Sequence, residues 1–223
     1  MGGKDTVWID GEVLCSVECT KFLGIVLDKA LSWKPHIQDL LQRINRCVGV
    51  LYRIRYKLNF STMLKLYDTM IMSRVLYCAI IWAGAAVVHV KKIHLVQKRA
   101  LRLVVWAKKD SPSGPIFYKL NRLTIFDEYK LQASLFMHNS INGNLPHFLS
   151  THFRANYQIH NHKTRFSHNI HTYITRTNAR KSTLMVSGPR IWNNIPNSIR
   201  NIKSSSLFRR TLKEYYLNMY RSN

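Results

Sequence analysis

Lys21-Phe22-Leu23-Gly24-Ile25-Val26-Leu27-Asp28, followed closely by Leu31-Ser32-Trp33-Lys34-Pro35-His36-Ile37, marks the passage from a β-rich start to a helical body. The bulky run from Phe22 to Leu27 reads as a strand, with Gly24 where a missing Cβ lets another backbone or a ligand approach. Upstream, Val7 to Ile9 and Glu12 to Leu14 flank Asp10-Gly11, a pair suited to a type I′ turn because both central residues take positive φ. A three-stranded antiparallel sheet is therefore expected. Downstream, Ile37, Leu40, Leu41, Ile44, Cys47, Val48 and Leu51 recur at helical spacing. They predict an amphipathic helix over 34–58, with Pro35 in its first turn, where a missing N–H is harmless.

The helical pattern continues. Ser61 is the expected N-cap of a second helix running through Leu64, Tyr67, Ile71, Leu76 and Trp82 and ended by Gly84. A third covers 90–107, with Ile93, Val96, Ala100, Leu103 and Val104 facing inward. Ser111-Pro112-Ser113-Gly114-Pro115 reads as a loop and a boundary between subdomains. A short helix near 116–120 and a longer one over 125–141 follow, the latter ending at Asn142-Gly143-Asn144. Residues 151–187, rich in His, Asn, Thr and Arg, are expected to be irregular with short strands. Gly188-Pro189 should precede a short helical piece at Ile191-Trp192, and Ser204 to Ser206 should cap a last helix. The fold class is mainly α with a small N-terminal antiparallel β-sheet (α+β).

Charge points to the partner. The 223 residues carry a formal net charge of +23, and a polyanion gains most from such a surface, because each neutralised phosphate releases condensed counterions. Residues 151–223 hold 13 basic residues against Glu214 alone, and no carboxylate occurs between Tyr129 and Lys213. A solvated surface normally mixes both signs. On the first helix Arg43, Arg46, Arg53 and Lys57 gather opposite the apolar stripe. On the third, Lys91, Lys98 and Arg102 do the same, widened by Lys92 and Arg99.

Cys15, Cys19, Cys47 and Cys78 read as free buried thiols of a reducing compartment, with Cys15 and Cys19 as strand filling, which places the protein inside the cell, in nucleus or cytoplasm. Val75 to Val88 is uncharged but shorter than a membrane span, so no membrane partner is expected. His160, His162, His168 and His171 lack the cysteines and tight spacing of a structural zinc site, and no metal site is assigned. Tyr157, Phe166 and Tyr173 among Arg154, Arg165 and Arg176 suit either stacking on single-stranded RNA or a modest core, whereas Trp192 reads as core.

The block from Lys21 to Ile37 resembles the last motif of the reverse-transcriptase palm in non-LTR (LINE-type) retrotransposons, the primer grip, followed by the entry into the thumb. Further matches lie in order along the chain: Leu76-Tyr77-Cys78 with Trp82, Gln97-Lys98-Arg99-Ala100-Leu101-Arg102, Lys163-Thr164-Arg165, Arg176-Thr177-Asn178, Gly188-Pro189 with Ile191-Trp192-Asn193, and Phe208 with Leu212-Lys213. The resemblance implies a palm remnant with primer-grip strands over 1–32, a helical thumb over 33–110, a helical connection over 111–150 and a basic mixed C-terminal domain over 151–223. It also implies an RNA-directed DNA polymerase whose metal-binding aspartates stand upstream of this block.

The family's Tyr-x-Asp-Asp turn is missing, and the one adjacent acidic pair, Asp127-Glu128, suits the start of a helix. No catalytic residue is assigned. No cofactor is expected in this chain, since Mg²⁺ would come only with the palm. Phe22, Leu23 and Gly24 at the grip, Arg43, Arg46, Arg53, Lys57, Lys91, Lys98, Arg99 and Arg102 along the thumb, and Arg165 and Arg176 beyond it are the expected nucleic-acid contacts. The expected partners are RNA and DNA, as RNA–DNA hybrid or primer-template. Two functions follow: a truncated polymerase that holds primer-template without catalysing synthesis, or a self-contained transposon-derived nucleic-acid-binding or interaction module. The sequence leaves the oligomeric state open.

Overall fold

The computed structural model describes residues 7–159 and 165–221. Strands β1 (Val7–Ile9) and β2 (Glu12–Leu14) pair antiparallel through Asp10-Gly11, whose φ values of 51° and 83° match the type I′ turn. Strands β3 (Cys19–Phe22) and β4 (Ile25–Asp28) repeat the device through Leu23-Gly24, at φ 45° and 80°. The expected three-stranded sheet is thus replaced, among the described residues, by two separate two-stranded sheets. Phe22 to Leu27 is not one strand, because two successive left-handed residues reverse the chain.

The second hairpin leads into the body through Asp28. Its carboxylate accepts from the Ser32 and Trp33 N–H groups, both at 3.0 Å, and so holds a turn in which Leu31 and Trp33 take positive φ. Trp33 and Ile25 are buried, and the His36 Nδ1 accepts from the Val26 N–H at 3.4 Å while its ring meets Trp82 edge-on at 5.6 Å. The Leu31-Ser32-Trp33 and His36-Ile37 pieces of the sequence block are therefore the joint between β4 and the first helix.

That helix, α1 (Lys34–Ile54), stops four residues short of expectation and buries Ile37, Leu40, Ile44, Cys47, Val48 and Leu51. The second predicted helix is broken. Asn59, rather than Ser61, caps α2 (Phe60–Leu66) by accepting from the Thr62 N–H at 2.9 Å. A π-helical stretch, Tyr67–Met72, leads to α3 (Ser73–Leu76); Tyr77 and left-handed Cys78 interrupt the run before α4 (Ala79–Trp82). The spacing explains the π turn. Met63, Tyr67, Ile71, Val75 and Ala79 are all fully buried at intervals of four, wider than the 3.6-residue repeat, and i→i+5 bonding absorbs the excess.

Helix α5 (Val87–Val104) packs along α1. The stretch expected as a loop at 111–115 instead opens α6 (Ser113–Lys119), since Pro112 before a helix and Pro115 in its first turn suit a helix start. Helix α7 (Ile125–Ile141) has the expected bounds and is capped by Thr124. After α8 (His147–Ser150) the chain is irregular, with a 3₁₀ turn at Asn156–Gln158 and a bridge between Ala155 and Ile170. Then come α9 (Asn178–Ser182), α10 (Leu184–Asn193), α11 (Asn197–Arg200) and α12 (Ser205–Asn218), the last capped by Ser204. Gly188-Pro189 lies inside α10 rather than before it. An interior proline costs about 3 kcal/mol, and burial of Val186, Gly188, Pro189 and Trp192 offsets it.

Two buried clusters result, and α7 contributes to both: Ile125 and Tyr129 to the one formed by β4, α1 to α6 and their connections, Leu131 and Met137 to the one closed by α10 to α12. Gly84 marks a seam, because a Cβ there would lie 2.3 Å from the Ser182 carbonyl oxygen. Beside it the Tyr129 and Ser187 hydroxyls hydrogen-bond at 2.7 Å. All four cysteines are free, but only Cys47 is buried; Cys15 and Cys19 are exposed, as is every residue of β2 and β3. No helix among the described residues is long and apolar enough to cross a membrane.

Candidate nucleic-acid interface

The tip of the β3–β4 hairpin presents Phe22 and Leu23 to solvent, 63% and 72% exposed. The Tyr77 hydroxyl donates to the Leu23 carbonyl at 2.7 Å and fixes the turn against the helical body. A Cβ on Gly24 would meet the Tyr77 ring at an ordinary 3.5 Å. Its φ of 80° favours glycine there, and the nearest described atoms are those of the Tyr77 ring rather than another backbone. Beside the turn lies a hollow of about 270 Å³ lined by Gly24, His36, Asp39, Arg43, Arg74 and Tyr77. Burial holds the His36 imidazole below the usual histidine range, with Asp39 pulling the other way and Arg43 adding to the depression. Arg43 donates to both Asp39 carboxylate oxygens, at 3.2 and 2.6 Å, so its charge at the turn is partly neutralised.

A larger groove, about 870 Å³, runs between α1 and α5. It brings Arg53, Arg99 and Arg102 together and adds Arg55 and Lys109, with Asp110 as the one acid in its lining. Arg99 reaches across to the Asn45 Oδ1 at 2.6 Å. Arg102 grips the Ser111 carbonyl through Nε at 3.0 Å and Nη2 at 2.7 Å. The Arg55 guanidinium lies over the rings of Tyr52 at 4.3 Å and Tyr56 at 4.4 Å. Several arginines are thus held in fixed positions before any anion arrives, which lowers the ordering cost of binding.

The remaining candidates lie elsewhere. Arg46 and Lys57 are exposed, one on α1 and one just beyond it, outside the groove lining. Lys98, one residue from Arg99 and so about 100° around the helix, is half-buried and faces His94, whose imidazole burial and Lys98 together hold below its ordinary value. Lys91 is exposed near the start of α5, and Arg165 and Arg176 are exposed in the irregular C-terminal segment. Tyr157, Phe166 and Tyr173 are exposed there too, whereas Trp192 is core. His168 packs against Tyr157 and His171 against Tyr173; His160, His162, Lys163 and Thr164 lie outside the described residues. Sequence reasoning missed Arg55, Lys109, Tyr52, Asn45 and Gly49 at the groove. The interleaving of Tyr52, Arg55 and Tyr56 and an unexplained helix-interior glycine were the signals available.

Among the described residues, several carboxylates are already engaged by the fold. Asp127 accepts from the Thr124 and Tyr220 hydroxyls and from Lys130 at 2.9 Å. Burial raises the Glu128 carboxyl above its ordinary value against the pull of Lys213, Arg209 and Arg122. Asp68 forms a two-pronged ion pair with Arg122, and Asp28 holds the turn before α1. Among the described residues no three His, Cys, Asp or Glu side chains group as cation ligands.

No protein-family model and no solved structure matches the chain. Among curated proteins it is 27% identical over 131 residues to the "Probable RNA-directed DNA polymerase from transposon X-element" of Drosophila melanogaster, covering 57% of this chain and 14% of that protein. It is 29% identical over 102 residues to the "RNA-directed DNA polymerase from mobile element jockey" of Drosophila funebris, covering 44% of this chain and 11% of that protein. The chain therefore spans a small fraction of the length of these relatives. These matches relate it to the reverse transcriptases of non-LTR retrotransposons.

Proposed function

We propose that this chain, related to LINE-type RNA-directed DNA polymerases, binds primer-template nucleic acid and supplies no polymerase active site of its own. The Phe22-Leu23-Gly24 turn meets the primer end, and the basic surface of α1 and α5 follows the phosphates of the duplex as a thumb. The observation that carries this reading is the groove where Arg53, Arg55, Arg99, Arg102 and Lys109 converge with one acid. Contacts of this kind are to phosphate, so affinity is independent of sequence and steep in salt.

The test is binding of RNA–DNA hybrid across a salt series. Five phosphate contacts give a log–log slope of roughly −4 to −5, and Arg53→Glu with Arg99→Glu should weaken binding and flatten that slope. Salt-independent binding, or none, removes the reading. Template-directed nucleotide incorporation by the chain on its own removes the claim that it lacks an active site.

A further inference from the structure

Gly49 sits in the interior of α1 and lines the groove between α1 and α5. A helix-interior glycine weakens a helix relative to alanine, so its presence asks for a reason. Its φ is not left-handed, and a Cβ built there meets no described atom within 4 Å beyond its chain neighbours and the surrounding helix backbone. What the missing side chain does is open the groove floor. Around it that floor is apolar, formed by Val48, Val96, Leu103 and Leu95, and Leu95 is 53% exposed although it faces a concave surface. Tyr52 stands at the side with the Arg55 guanidinium over its ring, and the Arg55 Nε is buried without a hydrogen-bond partner among the described residues.

A phosphate track needs cations but not an apolar trough with an aromatic wall. A paired, stacked base cannot enter such a trough, whereas an unpaired one can lay its flat face on the floor and leave its phosphates at the rim. We infer that the groove over Gly49 receives an unpaired nucleotide of a single-stranded segment, its base between the apolar floor and Tyr52 and its phosphates at Arg53 and Arg99. The inference rests on the nucleic-acid-binding reading and adds a preference to it: the chain binds a junction between duplex and single strand more tightly than blunt duplex.

Fluorescence anisotropy of the purified chain with blunt RNA–DNA hybrid, the same hybrid with a short overhang, and the same hybrid with an abasic overhang tests this. The base-bearing overhang should bind about tenfold more tightly than blunt hybrid, and the abasic one like the blunt. Gly49→Leu places a side chain in the trough and should abolish that preference, bringing the base-bearing overhang to the affinity of the abasic one, with a melting temperature no lower than that of the unsubstituted chain. Tyr52→Leu, at an exposed position, should also lose the preference. Equal binding of abasic and base-bearing overhangs, or a preference that survives Gly49→Leu, overturns the inference and leaves the proposed function standing. Failure of every probe to bind overturns the proposed function itself.

Discussion

The two hairpins at the start of the chain use the same turn and differ in nearly everything else. Both reverse through a residue with φ near 50° followed by glycine near 80°. The first buries none of its strand residues, and Trp8 remains 63% exposed. The second buries Ile25, receives a hydrogen bond from Tyr77 and passes through Asp28 into α1. Turn chemistry makes a hairpin, and contacts from distant residues make it part of a fold. A lone two-stranded hairpin is marginal in water, so the two should respond to substitution very differently.

Ile25→Ala should have the largest effect, about 2–5 kcal/mol lost in urea unfolding, since it removes buried methyl groups and leaves a cavity; an effect below about 1 kcal/mol would put the second hairpin on the same footing as the first. Asp28→Ala should cost roughly 1–2 kcal/mol, comparable to loss of a helix cap, because left-handed Leu31 and Trp33 lose the carboxylate that holds their turn. The Asp28 carboxyl lies below its ordinary value: burial raises it, but the Ser32 hydroxyl and the Ser32 and Trp33 N–H groups lower it further. Its contribution is therefore complete above the unfolded value of 3.8 and lost as pH falls through the folded value.

His36 produces a smaller change at milder pH. Its imidazole is depressed by burial from 6.5, so the unfolded chain takes up the proton first, and stability declines as pH falls below about 6.5. His36→Gln should flatten the stability profile between pH 7 and 5; an unchanged profile would show that the β4–α1 joint does not sense the proton. Trp8→Ser in the first hairpin should sit at the bottom of the scale, within about 0.5 kcal/mol. A larger loss would mean that this hairpin is covered in solution.

Legibility followed the same division between local and distant causes. The Asp10-Gly11 turn, the bounds of α7 and the apolar stripe of α1 depend on neighbours in sequence, and periodicity found them. The reversal at Leu23-Gly24 was misread as strand because Phe22 to Leu27 is uniformly bulky, and only the left-handed pair betrays the turn. The π stretch at Tyr67–Met72 was missed although the four-residue spacing of Met63, Tyr67, Ile71 and Val75 implies it. At the candidate site, the cations of α1 and α5 were visible as faces, but their distribution between groove and surface depends on how the two helices pack. The Arg43 pairing with Asp39 was readable four residues away on one helix. The presence of Lys109 in the same groove as Arg53 was not, because a chain reversal after α5 brings it there.

Helix α7 has a consequence for cooperativity. Its Tyr129 belongs to one buried cluster and its Leu131 and Met137 to the other, while the Tyr220 hydroxyl, just beyond α12, accepts from the Thr124 N–H at 3.1 Å at its start. Neither cluster can lose α7 without exposing an apolar face of the other, so the two should melt in one transition. Calorimetric and van't Hoff enthalpies should then agree.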